Sequence, residues 1–177
     1  MESIRREEFP DENKLSNAFR LSYGNFDYFN GGDITTDPIS PGHWRDIESP
    51  VGMVTGPVEV CVANHHANSD AMGATFLSAV RPKVIIVQVW VPSQPDNSAL
   101  GRMFSTRIYP GQRDIYTTNL MKETITVIGA SLMQLKSQQG HIVIRVSPGG
   151  NEYMIYILDD SSETFKIKAV HGPYTCD

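Results

Sequence analysis

The chain has 177 residues, 40% of them apolar, with 15 Lys and Arg against 20 Asp and Glu for a net charge of −5. That length buries a real core within one domain, and the acidic balance excludes a nucleic-acid surface built on bulk basicity. It leaves open a phosphate-bearing substrate held through metal ions, which supply positive charge locally. No stretch approaches the ~20 apolar residues of a membrane-spanning helix. Residues 1–12 are charged, contain no signal-peptide core and read as a frayed tail before one domain at residues 13–177. A cytoplasmic location is the expectation for such a start.

NAFRLSYG and FDYFNGG flank Gly24-Asn25, a turn-prone pair, and predict a β-hairpin ending at Gly31-Gly32-Asp33. Residues 33–57 carry four prolines and read as a long ordered loop, with Trp44, Ile47 and Met53 to bury. VEVCVANHH predicts a strand. SDAMGATFLSAV predicts a helix, with Met72, Phe76, Leu77 and Val80 at helical spacing after an N-cap at Ser69 or Asp70. Arg81-Pro82 stops it. KVIIVQVWV is a β-branched buried strand, NSALGRMFSTRIYP a second helix and DIYTTN a short strand. GHIVIRVSPGG and EYMIYILDD carry a hairpin signal, and FKIKAVHGP follows them.

This order predicts a mixed α/β fold with helices on one face of a sheet. A run such as VIIVQVW needs both faces covered, so the other face is expected to meet a second sheet or a partner. Cys61 lies in an apolar strand and reads as a small buried hydrophobe. Cys176 is far from it in sequence, and no disulfide is expected.

The chemistry concentrates at three residues. His65 and His66 close a predicted buried strand, and Asp33 closes the hairpin after two glycines that let the backbone turn sharply. Imidazole and carboxylate on neighbouring strand ends suit a borderline metal such as zinc or manganese. A turn role for Asp33 and a loop or core role for the histidines remain the plain alternatives. His43 lies in the loop and is free to approach the site, while His141 opens a strand. Asn68 and Ser69 read as a cap first and as substrate contacts second. No phosphate-binding glycine loop, nucleophile elbow or base-paired cysteine occurs.

ENKLSNAFRLSYGNFDYFNGGD and GPVEVCVANHHANSDAMGATFLSAVRPKVIIV together resemble the metallo-β-lactamase fold superfamily. The branch is the one that includes the hydrolase domain of DNA-internalisation competence proteins. Asn13, Ser16 and Gly24 match that branch's first block, and its metal-bridging aspartate falls on Asp33. His65 and His66 match the paired histidines of its HHGS signature, and RDIYTTN resembles a later strand. The third position of that signature is Ala67, followed by Asn68, and Gln94-Pro95 stands where many relatives carry His-Pro. The superfamily's His-x-His-x-Asp-His motif, which supplies most ligands of both ions, occurs nowhere in the chain.

The resemblance implies the C-terminal half of an αβ/βα sandwich. Asp33 and one of His65 and His66 would serve a two-metal hydrolase acting on a phosphodiester or other ester bond. Alone, the chain is expected to be inactive and to bind zinc or manganese weakly. A half-sandwich leaves one face of its sheet open, so a homo-oligomer or a separate N-terminal half is the expected partner. The rival reading is a non-catalytic binding or assembly module that keeps the half-fold.

Overall fold

The computed structural model describes residues 12–37 and 43–177. The tail, apart from Glu12, lies outside the described residues. Five strands form one sheet in chain order: β1 (Phe19–Tyr23), β2 (Phe26–Asn30), β3 (Val60–Val62), β4 (Val84–Val87) and β5 (Asp114–Thr117). β1 and β2 are the antiparallel hairpin, turned at Gly24 with φ +59°, and the remaining pairings are parallel. A second sheet, β6 (His141–Val146), β7 (Glu152–Leu158) and β8 (Ile167–Thr175), is an antiparallel meander. The chain is therefore α/β, with a mixed main sheet.

Alternation along the strands sorts the two faces. Phe29, Cys61, Ile85, Val87 and Ile115 point to one side. There they pack with side chains from α2 (Ala74–Val80) and α3 (Asn97–Phe104), among them Phe76, Leu77, Leu100 and Met103. Val60, Val84, Ile86 and Tyr116 point to the other side, where Tyr153, Ile155 and Ile157 of β7 meet them. The second sheet that the buried β4 run demands is thus supplied by the chain itself.

That cover is incomplete. The meander covers β2 to β5, where Phe26, Val60, Val84 and Tyr116 are buried against β7, and stops short of β1. A cleft of about 600 Å³ opens where Tyr28, Val62 and Ile86 face Ile142 and Ile144. Every residue of β1 is exposed. Phe19, Leu21 and Tyr23 alternate onto the same face as Phe26 and Tyr28, and each is about half exposed (51%, 52% and 51%).

Four elements differ from what the sequence predicts. The stretch after Asp33 contains a helix, α1 (Glu48–Thr55), and of its three expected anchors only Ile47 packs on the core; Met53 and Trp44 are exposed. Helix α2 starts at Ala74 with Gly73 as its cap and no side-chain cap bond, so neither Ser69 nor Asp70 fills that role. β4 ends at Val87, short of the apolar Val89 and Trp90. Helix α4 (Lys122–Ile128) follows β5 and continues into a 3₁₀ turn at Gly129–Gln134. Its sequence KETITVI is rich in β-branched residues, which are weak helix formers, and only Thr124 within it is buried. Among the described residues no helix is long and apolar enough to cross a membrane.

Candidate metal centre

Parallel pairing of β2 with β3 places their carboxyl ends side by side, and the candidate residues lie just beyond those ends. Glycine is required twice after β2. Gly32 adopts φ +60°, and a Cβ on Gly31 would overlap the side chain of Asn64. The turn carries Asp33, whose backbone N–H donates to Ser16 Oγ at 3.1 Å. The Gly32 carbonyl accepts from the His65 backbone N–H at 3.0 Å, stitching the two strand ends together.

After β3 the backbone takes an uncommon path. His65, His66 and Ala67 all have positive φ, at 45°, 56° and 58°. For residues with a Cβ this conformation costs on the order of 1 kcal/mol each. Glu48, buried at the start of α1, offsets that cost. Its carboxylate accepts from Asn64 Nδ2 at 2.8 Å, from Met72 N at 2.6 Å and from Gly73 N at 2.7 Å, clasping both ends of the histidine turn. The Asn64 Oδ1 atom is buried without a hydrogen-bond partner.

The two histidines part company. His65 Nδ1 meets Asp70 Oδ1 at 2.9 Å, and its Nε2 lies 3.3 Å from Asn13 Nδ2. An Nδ1–H donated to the carboxylate and an Nε2 accepting from the amide use both ring nitrogens inside the chain. His66 instead donates Nδ1–H to the Gln88 carbonyl at 2.7 Å, which leaves the Nε2 lone pair exposed. That Nε2 lies 3.5 Å from Asp33 Oδ1. The gap is long for a hydrogen bond. It matches two ligands of one tetrahedral ion, whose ~2.0–2.1 Å bonds set their donors ~3.4 Å apart. A ring nitrogen fixed by a backbone carbonyl while the other faces outward is the usual second-shell arrangement of metal-binding histidines.

The other candidates fall elsewhere. His43 pairs with Asp37 at 3.7 Å and its ring lies against Trp44. The Asn68 carbonyl accepts from Ala71 N and the Ser69 carbonyl from Arg102 Nη2, so the backbone of this stretch is engaged within the fold. Among the described residues no group of three or more His, Cys, Asp or Glu side chains is placed to hold an ion. A scan against protein-family models returned no match. A search of the curated proteins returned none either.

The sequence pointed to three of these positions and passed over Glu48 and Gln88. Glu48 sits in a stretch whose prolines and glycines read as a loop. Its role shows only when α1 brings its carboxylate under the turn. Gln88 acts through its carbonyl, a group every residue carries.

Proposed function

We propose that this chain is the C-terminal part of a metal-dependent hydrolase of the metallo-β-lactamase fold, acting on a phosphodiester or other ester bond. The observation that carries the reading is the 3.5 Å approach of His66 Nε2 to Asp33 Oδ1, with His66 fixed from behind by Gln88. An imidazole and a carboxylate suit zinc or manganese. Asp33 and His66 would hold one side of such a centre, while His65 positions the turn through Asp70 and Asn13. When bound, the metal supplies Lewis acidity to the bond under attack and acidifies a water at neutral pH. The remaining ligands come from outside this chain, because the His-x-His-x-Asp-His motif is absent from its sequence. The half-exposed row Phe19, Leu21 and Tyr23 supports an N-terminal half or a second copy as the partner that completes the sandwich. The same row is the observation behind the second reading, an assembly module without catalysis.

Zinc titration of the isolated chain, followed by calorimetry, tests the assignment. Weak binding is expected, abolished in Asp33→Ala and in His66→Ala but kept in His65→Ala. Binding that survives both Asp33→Ala and His66→Ala would remove the proposed ligands and with them the hydrolase reading.

A further inference from the structure

A cavity of about 830 Å³ opens at the other end of the main sheet from Asp33 and His66, between the amino ends of β4 and β5 and the outer strand β8. Its size falls within the ~300–1,000 Å³ of small-molecule sites. Asp114, the first residue of β5, is buried at its wall. Asp114 Oδ2 accepts the Tyr174 hydroxyl at 2.6 Å, and Tyr174 Oη lies 2.6 Å from Tyr116 Oη. Each phenol has one proton, so the bonds run from Tyr116 to Tyr174 to Asp114. Gln112 Nε2 donates to the same carboxylate at 3.3 Å. Asp114 is therefore satisfied within the chain. His171 lines the cavity too, with its Nε2 buried and without a hydrogen-bond partner.

Three cations and two carboxylates line this space. Lys83 is engaged, with the Thr175 carbonyl and an Asp177 carboxylate oxygen each 2.7 Å from Nζ. Lys136 Nζ stands 3.7 Å from Asp114 Oδ1, beyond hydrogen-bond reach. Arg81 makes one side-chain hydrogen bond among the described residues, from Nε to the Ser78 carbonyl, so both terminal nitrogens remain unused. In a chain of net charge −5, the cavity keeps a positive surplus at Arg81. Pro110, Val170 and Pro173 give it an apolar side.

We propose that this cavity binds a small organic anion, its carboxylate or phosphate head held by Arg81 and Lys136 and its body lying against Pro110, Val170 and Pro173. A guanidinium with two free nitrogens offers the paired donors that an oxyanion accepts. The proposal is independent of the metal centre, which lies beyond the opposite ends of the strands.

The test is a titration of the ¹⁵N-labelled chain with benzoate and, separately, with inorganic phosphate, repeated in Arg81→Gln and Lys136→Gln. Saturable shifts confined to residues 81–83, 109–114, 136 and 170–175 are expected, with affinity lowered about ten-fold in Arg81→Gln, the usual effect of one lost charged hydrogen bond. A response to benzoate alone assigns a carboxylate head and a response to phosphate alone a phosphoryl group. Thermal melts of both variants matching the parent chain establish that the fold is intact. Absence of saturable shifts with either anion, or unchanged affinity in both variants, overturns the proposal.

Discussion

Burial pushes the Glu48 carboxyl up to about 7, against the pull of its bonds from Asn64, Gly73 and Met72; Asp46 nearby pushes the same way as burial. The sign of the consequence follows from proton linkage. Between about 4.5, the ordinary value, and about 7, the folded chain keeps a proton that the unfolded chain has released. The contribution of Glu48 to stability is therefore fully present below pH 4.5 and is lost as pH rises through 7, by on the order of 3 kcal/mol. Urea midpoints of the parent chain and Glu48→Gln, measured from pH 4 to pH 8.5, isolate the effect. The parent's advantage over the variant is expected to shrink between pH 4.5 and 7 and to stay level above that. A constant difference across the window would mean that the carboxyl titrates alike in the folded and unfolded chain. The sequence drew attention to Asp33, His65 and His66 but not to the different partners of the two histidines. Adjacent histidines look alike in sequence. They are separated by three consecutive positive φ angles, which turn one ring toward Asp70 and the other toward Asp33.

The hairpin and the meander meet through backbone. Gly24 and Gly150 both have positive φ, and a Cβ on either would overlap the main-chain carbonyl opposite, Gly149 for the first and Tyr23 for the second. Gly150→Ala therefore combines a disfavoured backbone conformation with a clash that no rotamer relieves. A loss of more than about 2 kcal/mol is expected in chemical denaturation, where an alanine on an open surface turn costs a fraction of that. β1 presents a different problem. An edge strand with an apolar row invites pairing with another chain. Sedimentation velocity is expected to show mass rising with concentration for the parent chain, and a monomer for Phe19→Lys with Leu21→Lys. Mass independent of concentration in the parent would leave the row without a partner of its own kind. Strands and the two hairpins were legible because alternation and β-branched runs report burial directly, as in VIIV and EYMIYIL; the order of strands across the main sheet was not. Helices α1 and α4 were not. One proline and one glycine in α1, and β-branched residues in both, mask them locally, and contacts with the rest of the fold supply what propensity does not.

At the scale of the whole molecule, the question is whether the meander is a lid on the main sheet or half of one core. Tyr153 decides it. The side chain is fully buried, its ring meets Phe26 edge-on at 5.2 Å and stacks on Tyr174 at 5.0 Å, and its hydroxyl donates to the Glu59 carbonyl at 3.3 Å. It thus joins β7 and β8 to β2 and to the lead into β3, while Ile155 and Ile157 extend the same cluster under Val60, Val84 and Ile86. Removing a buried aromatic side chain costs about 3–5 kcal/mol. If the two sheets form one core, Tyr153→Ala lowers the free energy of opening by the same amount everywhere. Native-state hydrogen exchange reads this residue by residue. Amides of β4, which do not touch Tyr153 in sequence, are expected to lose as much protection as those of β7. Loss confined to residues 141–175 would make the meander a separate unit, and the main sheet would then have to be stable with its second face open. The apolar row of Val60, Val84 and Ile86 argues against that, since uncovering it would expose a continuous apolar strip to water.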